Sequence, residues 1–280
     1  AAFEYCRKNK LYYDLICEFW LDDNVSEFIK TYGYWDDMVF WLKWLMHVAE
    51  EQEDFEKTVL TASGIIWALT RMGGKEQLEE ADHLAKKVWN YRENISNIIL
   101  CKLADDTSTL YVRKHKWEEA IKYFDIAINL LEKSELDYKT FNRRKCHIYY
   151  YKAELLYKTG KEIEAKDLYQ EGYHLALEGE WSRAIIFYMN RLADIAIKNN
   201  EFDIAQMLLD DGISNAEKAH NTRAIALYKK SYATLEAKIG KYTESRNHAD
   251  EAWETFRRLG MQAEIEEINA ISKIIENDLQ

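Results

Sequence analysis

A pattern of small, large and small residues recurs five times in this chain of 280 residues. The first small residue of each copy is Ala81, Ala120, Ala165, Ala205 and Ser245, at steps of 39, 45, 40 and 40. Four residues later come Ala85, Phe124, Tyr169, Leu209 and Ala249, and three further on come Val88, Ala127, Gly172, Gly212 and Ala252. At these spacings the residues share one helix face, where small side chains let backbones approach and large ones fill the gaps. Each copy therefore predicts a helix packed between neighbours.

A second helix is predicted before each of these stripes. It carries a small residue at a fixed place, which is Gly64, Ser108, Ala153, Ala193 and Ala233. Short turns separate the two helices, with the sequences KHKW, KTGKE, KNNEF and KIGKY in the last four copies. Gly160 and Gly240 suit a left-handed helix end, and Asn199 or Asn200 can take the same role. The chain has no proline, which favours long uninterrupted helices. The sequence thus predicts an all-α array of antiparallel helix hairpins.

This arrangement resembles the tetratricopeptide repeat. The family's small residue in the first helix and small, large, small stripe in the second are matched by Ser108, Ala120, Phe124 and Ala127, and again by Ala193, Ala205, Leu209 and Gly212. The resemblance covers about residues 57–258 and implies a right-handed superhelical solenoid. The chain departs from the family in its period, which is nearer 40 than the family's roughly 34 residues. It also lacks the proline that closes each family repeat.

The segments on either side of the five copies differ from them. Residues 1–56 contain aromatic-rich helices and a degenerate first hairpin, with the turn YGYW and the apolar helix MVFWLKWLM. That helix requires cover on two sides, from the N-terminal helices or from a partner. Residues 259–280 place Ile265, Ile268, Ile271 and Ile275 at helical spacing, with Glu266, Glu267 and Lys273 on the outer face. They predict a C-terminal capping helix after the five hairpins of residues 57–258.

Residues 30–92 resemble a narrower group of proteins. The stretch YGYWDDMVFWLKWLMHVAEEQED, the following ASG-containing helix and the hairpin GG–QLEEADHLAKKV are similar in style to the helical repeat arms of bacterial STAND-class signal-transduction NTPases. The resemblance implies a sensor arm that binds an activating ligand. No GxxxxGK[ST] phosphate loop occurs in this chain. Because the chain begins with Ala1, we expect the NTPase module, if present, to lie in a longer protein.

Composition and motifs argue against several classes of function. The formal net charge is −11, which disfavours binding to nucleic acid. No apolar run reaches the length of a membrane span, so we expect a cytoplasmic protein without membrane insertion. The four cysteines form no metal-binding or disulfide-like pair and predict reduced, buried thiols. No HExxH or GxSxG motif occurs, and the seven histidines are dispersed. We therefore expect no enzyme activity, catalytic residue, metal or cofactor.

A binding surface is predicted on the first helices of the hairpins, which line the concave side of such solenoids. Counting from the small residue places these candidate ligand-binding residues on that face: His147, Tyr150, Tyr151, Glu154, Tyr157, Phe187, Asn190, Arg191, Asp194 and Lys230. The amide of Asn190 can both donate to and accept from a peptide backbone. Arg191 and Lys230 suit a carboxylate, and the tyrosines offer amphipathic contact area. For any single residue, an ordinary solvated inner face is the alternative.

Three functions are compatible with these observations. The first is a non-catalytic scaffold or sensor arm that binds a protein or peptide in the concave groove. The second is a free-standing adaptor that self-associates as a homo-oligomer through the Trp-rich N-terminal unit. The third is a regulator that senses a short signalling peptide, as in peptide-receptor transcription factors of Gram-positive bacteria, whose DNA-reading domain is absent from this chain.

Overall fold

Helices follow one another along the chain in the computed structural model, which describes residues 4–5 and 13–278. Residues 13–278 form fourteen α-helices and one 3-10 helix, and they contain no strand. The chain divides into two compact units, Ala1–Ser134 and Glu135–Gln280. The all-α fold predicted from the sequence is therefore confirmed in both units.

Residues 13–134 of the first unit form seven α-helices. They are α1 (Tyr13–Leu21), α2 (Asp23–Tyr32), α3 (Trp35–Glu51), α4 (Phe55–Met72), α5 (Lys75–Val88), α6 (Asn97–Arg113) and α7 (Trp117–Glu132), with the 3-10 helix at Trp89–Asn94 after α5. Helix α4 packs against α3, α5 and α6, and α7 packs against α6. This packing buries most of α4, from Thr58 to Met72.

The second unit contains the other seven α-helices. They are α8 (Tyr138–Lys158), α9 (Glu162–Glu178), α10 (Ser182–Lys198), α11 (Phe202–Lys218), α12 (Thr222–Lys238), α13 (Tyr242–Arg258) and α14 (Gln262–Asp278). Each helix packs against the next one along the chain. In addition, α10 packs against α12, and α12 packs against α14. The first helices of successive hairpins in this unit, α8, α10, α12 and α14, are called the A helices below.

The small, large, small stripes form the contact surfaces of the hairpins. In the second unit the stripes of α9 and α11 are wholly buried, and so are the small residues of the A helices; they are Ala165, Tyr169, Gly172, Ala205, Leu209, Gly212, Ala193 and Ala233. This burial accounts for the pattern because a larger side chain at the small positions would push neighbouring helices apart.

Two glycines in the stripes each receive a tyrosine from the following A helix. A Cβ atom at Gly172 would lie 2.6 Å from Cε1 of Tyr188 and still closer to its hydroxyl oxygen. The Tyr188 hydroxyl donates a hydrogen bond of 2.5 Å to the carbonyl of Cys146. Gly212 and Tyr228 repeat this arrangement in the next hairpin. The glycines are therefore needed for close approach rather than for a special backbone angle.

The turns that join the two helices of a hairpin contain residues in the left-handed conformation. The sequence predicts this conformation for two glycines. Gly160 and Gly240 have φ values of 82° and 78°. Of the two candidate asparagines, Asn200 is the left-handed residue, with φ of 61°. Glu180 and His220, in the turns between successive hairpins, also adopt this conformation, with φ of 48° and 49°. Histidine is among the residues enriched there, whereas glutamate is not.

The aromatic N-terminal region supplies part of its own cover. The ring of Trp20 in α1 stacks on Trp41 in α3 at 6.2 Å. Trp41 is thus covered on one side by an N-terminal helix, one of the two sources of cover predicted for the apolar helix. Phe40 on the same helix remains 50% exposed. The predicted helices before Tyr13 lie mostly outside the described residues.

The end of the chain and the thiols agree in part with the predictions. In α14, Ile268 is buried, while the side chain of Ile275 lies outside the described part of the chain. Cys17, Cys101 and Cys146 are buried thiols, as predicted, and Cys6 lies outside the described residues. Among the residues that the structure describes, no helix has both the length and the apolar character needed to cross a membrane.

Candidate functional site

The predicted ligand-binding residues all lie on the A helices of the second unit. Helix α8 carries His147, Tyr150, Tyr151, Glu154 and Tyr157, helix α10 carries Phe187, Asn190, Arg191 and Asp194, and helix α12 carries Lys230. The register deduced from the repeat places them on one continuous face because α8, α10 and α12 are neighbours in this unit. The question is then which of these side chains meet.

Arg191 links two A helices at the centre of this face. Its Nε donates a hydrogen bond of 3.0 Å to the hydroxyl of Tyr150 on α8. Its Nη1 lies 2.9 Å from Oδ2 of Asp194, one turn further along α10. Burial by itself lowers the pKa of Arg191, but the oxygens of Tyr150, Glu154 and Asp194 raise it well above its ordinary value. The guanidinium is therefore fixed, charged and held by protein groups on two helices.

Asn190 joins α10 to α12 through Ser231. The Nδ2 of Asn190 donates a hydrogen bond of 3.0 Å to Oγ of Ser231, and that hydroxyl in turn donates to Oδ1 of Asp194 at 2.5 Å. These bonds fix the orientation of the amide. Asn190 is only 1% exposed, and within the described part of the chain its Oδ1 accepts no hydrogen bond. A buried amide oxygen without a donor is costly, so any donor that reached it would be stabilised.

Lys230 provides the second cation of this face. Its side chain is 10% exposed and pairs with the carboxylate of Glu267 on α14. Burial lowers the pKa of Lys230, whereas Glu267 raises it, and the result is above the ordinary value. The sequence predicts Glu267 on the outer face of the capping helix. Its side chain is 46% exposed, and its carboxylate also reaches the buried Lys230 on α12.

Aromatic rings surround the polar groups. Tyr150 contacts the rings of Tyr151 and Phe187, with centroids 4.9 and 6.4 Å apart. The guanidinium of Arg223 lies over the ring of Phe187 at 4.8 Å. His147 lies 4.9 Å from the ring of Tyr151, at the edge of the cluster. The aromatic residues of α8 and α10 thus form one connected surface.

Two predicted residues on α8 also have a lysine nearby. Tyr157 is covered by the ammonium of Lys198 at 5.1 Å, and Glu154 lies 3.9 Å from Lys158. The face also differs from an open solvated groove because Tyr150, Tyr151, Glu154, Asn190 and Lys230 are all buried. The polar groups of Tyr150, Asn190 and Lys230 bond to other protein groups, which belong to Arg191, Ser231 and Glu267.

Sequence reasoning missed Ser231, Arg223 and Glu267. Ser231 occupies the same register on α12 as Arg191 does on α10 and Tyr151 does on α8, so extending that register to α12 identifies it. Arg223 lies 40 residues after Arg183, and Glu267 lies 40 residues after Leu227 and 80 after Phe187, so the same register identifies both. Their contacts with Phe187 and Lys230 follow only from the packing of α10 on α12 and of α12 on α14.

No group of His, Cys, Asp or Glu side chains suited to a metal ion occurs among the described residues. The functional groups that the face offers are therefore hydrogen-bonding amides and hydroxyls, charges of both signs, and aromatic rings. Such a face can bind a polar chain with apolar side groups.

Comparisons with solved structures identify the class of fold. A crystal structure of a Rap protein complexed with Competence and Sporulation Factor is 14% identical in sequence, with a TM-score of 0.58, covering 90% of this chain and 73% of the Rap chain. A crystal structure of BtubC (BKLC) from P. vanneervenii is also 14% identical, with a TM-score of 0.56, covering 82% of this chain and 91% of that chain. At this identity the likeness shows the fold alone, which is the helical-repeat solenoid predicted from the sequence. No protein-family model and no curated protein matches the chain.

Proposed function

We propose that this protein is a non-catalytic scaffold that binds an extended peptide or protein segment on the A helices of its second unit. The observation that carries the proposal is the buried Oδ1 of Asn190, which is held in place and has no donor in the described residues. A backbone N–H is a donor that every peptide supplies at regular intervals. The solved complex of a Rap protein with its factor, in a similar fold, supports a binding role.

The surroundings of Asn190 favour a peptide over a small molecule. Arg191, Asp194 and Lys230 are charged groups spread over two helices, and Tyr150 and Phe187 add aromatic area between them. A chain with several side groups can contact all of these at once. Affinity then arises from many modest contacts rather than from one deep cavity.

The test is a selection of random peptides displayed on phage, followed by fluorescence anisotropy with the selected peptides. We expect Asn190→Ala to weaken binding about tenfold, the loss of one buried hydrogen bond. Asn215→Ala is the matched control because Asn215 is exposed on α11 and outside the A helices. Failure to select any peptide, or equal affinity of the Asn190→Ala and parent chains, would contradict the proposal.

We further propose that this binding module is the sensor arm of a larger cytoplasmic signalling protein. The resemblance of residues 30–92 to the arms of STAND-class NTPases supports it, as do the buried thiols at Cys17, Cys101 and Cys146. A peptide-sensing regulator with a separate output domain is the related alternative. The proposal includes the division predicted from the sequence, which consists of aromatic-rich helices and a degenerate hairpin (residues 1–56), five hairpins (57–258) and a capping helix (259–280). Antibody capture from the native cells and intact mass spectrometry test it, and a native mass near 33.2 kDa would contradict it.

Self-association through the first unit is a second candidate function. Phe28, Tyr32 and Tyr34 form an aromatic cluster with centroids 4.6 and 6.1 Å apart, and each is at least 41% exposed. Apolar rings gathered on a surface favour contact with another apolar surface. We expect light scattering to show a dimer that Phe28→Ser with Tyr34→Ser dissociates. A monomer at high concentration would exclude this function.

A further inference from the structure

Helices α3, α4 and α5 of the first unit border a surface groove of about 310 Å³. Its base is apolar, because Leu69 and Met72 at the end of α4 line it and are buried. Val39 and Phe40 of α3 also line it, and Phe40 is 50% exposed. The volumes of ligand pockets usually begin at about 300 Å³. A groove of this size therefore suits a few side chains of a larger partner better than an enclosed small molecule.

Two ion pairs join α3 to α5 in a regular row. The ammonium of Lys87 lies 2.6 Å from the carboxylate of Glu50, and the ammonium of Lys43 lies 2.5 Å from the carboxylate of Glu80. On both helices, the second pair lies seven residues before the first. The two helices therefore run in the same direction with matched positions, and the same step locates the next matched position toward the start of both helices.

That next position has a carboxylate but no cation. On α3 the step of seven reaches Asp36, whereas on the other side it falls on Gly73, before α5 begins at Lys75. Asp36 lines the groove together with Glu76 from the first turn of α5, and Lys75 does not line it. Within the described part of the chain, neither Asp36 nor Glu76 forms an ion pair or a side-chain hydrogen bond. The row of ion pairs thus ends in two carboxylates beside apolar side chains.

The charge of the groove selects its partner. The charged residues that line it are Asp36, Lys43, Glu76 and Glu80, and Glu80 is already paired with Lys43. The two remaining carboxylates attract a cation. A Lys or Arg side chain fits this combination, because its hydrocarbon stem can lie on an apolar surface while its charged end reaches a carboxylate.

We propose that this groove docks a basic segment of a partner protein, in which a Lys or Arg side chain adjoins a large apolar side chain. The cation contacts Asp36 and Glu76, and the apolar side chain covers Leu69, Met72 and Phe40. This docking surface belongs to helices α3 to α5 of the first unit. It is therefore separate from the proposed peptide site on the A helices of the second unit, and either function can fail without the other.

The experiment follows the methyl resonance of Met72 by NMR in the full chain, isotopically labelled at its methionine methyl groups and assigned with Met72→Leu. The probe is acetyl-Leu-Leu-Lys-amide, in which two apolar side chains adjoin one ammonium group. We expect the probe to shift the Met72 resonance along a saturable curve and to leave that of Met207, exposed on α11 of the second unit, unchanged. Acetyl-Leu-Leu-Gln-amide lacks the charge and acetyl-Gly-Gly-Lys-amide lacks the apolar side chains, so neither should shift Met72 at the same concentrations.

Variants of the two carboxylates make the result specific. Asp36→Asn and Glu76→Gln should each weaken binding of the charged probe about threefold, the loss of one exposed ion pair. The helix dipole alone favours an acid in the first turn of a helix, so the matched control is Asp37→Asn. Asp37 is also an acid in the first turn of α3, but it does not line the groove. We expect Asp37→Asn to bind the probe as tightly as the parent chain.

Four outcomes would overturn the proposal. The first is a Met72 resonance that the charged probe does not shift, and the second is an equal shift with the uncharged peptide. The third is equal weakening by Asp37→Asn, because the charge of the helix start would then explain the binding. The fourth is a Met72 shift that grows with protein concentration without any probe, which would assign the groove to a second copy of the chain.

Discussion

Replacement of Gly172 by alanine tests the packing of the hairpins. In most helix interiors this change stabilises a protein by about 1 kcal/mol, because alanine has the higher helix propensity. At Gly172 the new methyl group would lie 2.6 Å from Cε1 of Tyr188 and closer still to other atoms of that ring. Tyr188 is 1% exposed, so its ring has no free space into which it can move. A loss of stability in Gly172→Ala would therefore show that packing against Tyr188 decides the outcome, and a gain would show that helix propensity decides it.

The expected magnitude follows from three contributions. Forcing a methyl group into a filled core costs about 1–3 kcal/mol. Moving Tyr188 also breaks its buried hydrogen bond to the carbonyl of Cys146, which costs about 1–3 kcal/mol. The gain in helix propensity offsets about 1 kcal/mol. We expect Gly172→Ala to lower the free energy of unfolding by about 3 kcal/mol.

The assay is urea unfolding of the full chain, followed by far-ultraviolet circular dichroism. The rescue variant combines Gly172→Ala with Tyr188→Ile, which recreates the residues found at the same register in the last hairpin, Ala252 and Ile268. We expect the double variant to be less destabilised than the sum of the two single changes, because the residues are in contact. A Gly172→Ala chain as stable as the parent, or additive single effects, would refute this account of the glycine.

Three other perturbations have expected outcomes. Because Glu180 has φ of 48°, its backbone is strained, and Glu180→Gly should raise the free energy of unfolding by about 0.5–1 kcal/mol. Gly160→Ala, at another left-handed turn, should lower the free energy of unfolding. If both substitutions change it in the same direction, backbone strain is not the cause. Burial raises the pKa of Cys146 in the folded protein to about 12. As the pH rises, the thiol therefore ionises in the unfolded chain before it ionises in the folded one. The free energy of unfolding should fall by up to about 1.4 kcal/mol per pH unit above pH 9. Cys146→Ala should flatten this slope in urea titrations, and an unchanged slope would exclude the thiol as its cause. Asp82→Ala removes the carboxylate that lies 2.6 Å from the buried ammonium of Lys114. It should lower the free energy of unfolding, measured by thermal unfolding, by about 3–5 kcal/mol. Adding Lys114→Met should recover most of that stability, and no recovery would show that the charge of Lys114 is not responsible for the loss.

The hairpin turns show where local sequence is sufficient. Gly160 and Gly240 were predicted to be left-handed because glycine carries no Cβ, and they are. Glu180 occupies the same conformation, although glutamate has no local preference for it. Its backbone is fixed by the packing of the helices on either side, so no propensity argument identifies it.

The candidate site shows the same division between register and contact. The repeat register predicts that Asn190, Arg191 and Lys230 share one face, because equivalent positions of repeated helices point in equivalent directions. It does not predict that Arg191 bonds Tyr150, or that Ser231 joins Asn190 to Asp194. Those contacts require the spacing between different helices to be correct to within a few tenths of an ångström.

The sequence by itself determined the fold class of this protein, the order of its helices and the positions of its small residues. It could do so because these properties depend on helical periodicity, which is a short-range property of the chain. Tertiary structure alone decided which charges are paired and which acceptor is left without a donor. Glu267 illustrates the difference, since it appears as a solvated surface residue in the sequence and contacts buried Lys230 in the fold. Burial and pairing depend on helices distant in sequence, and they exist only once those helices have packed.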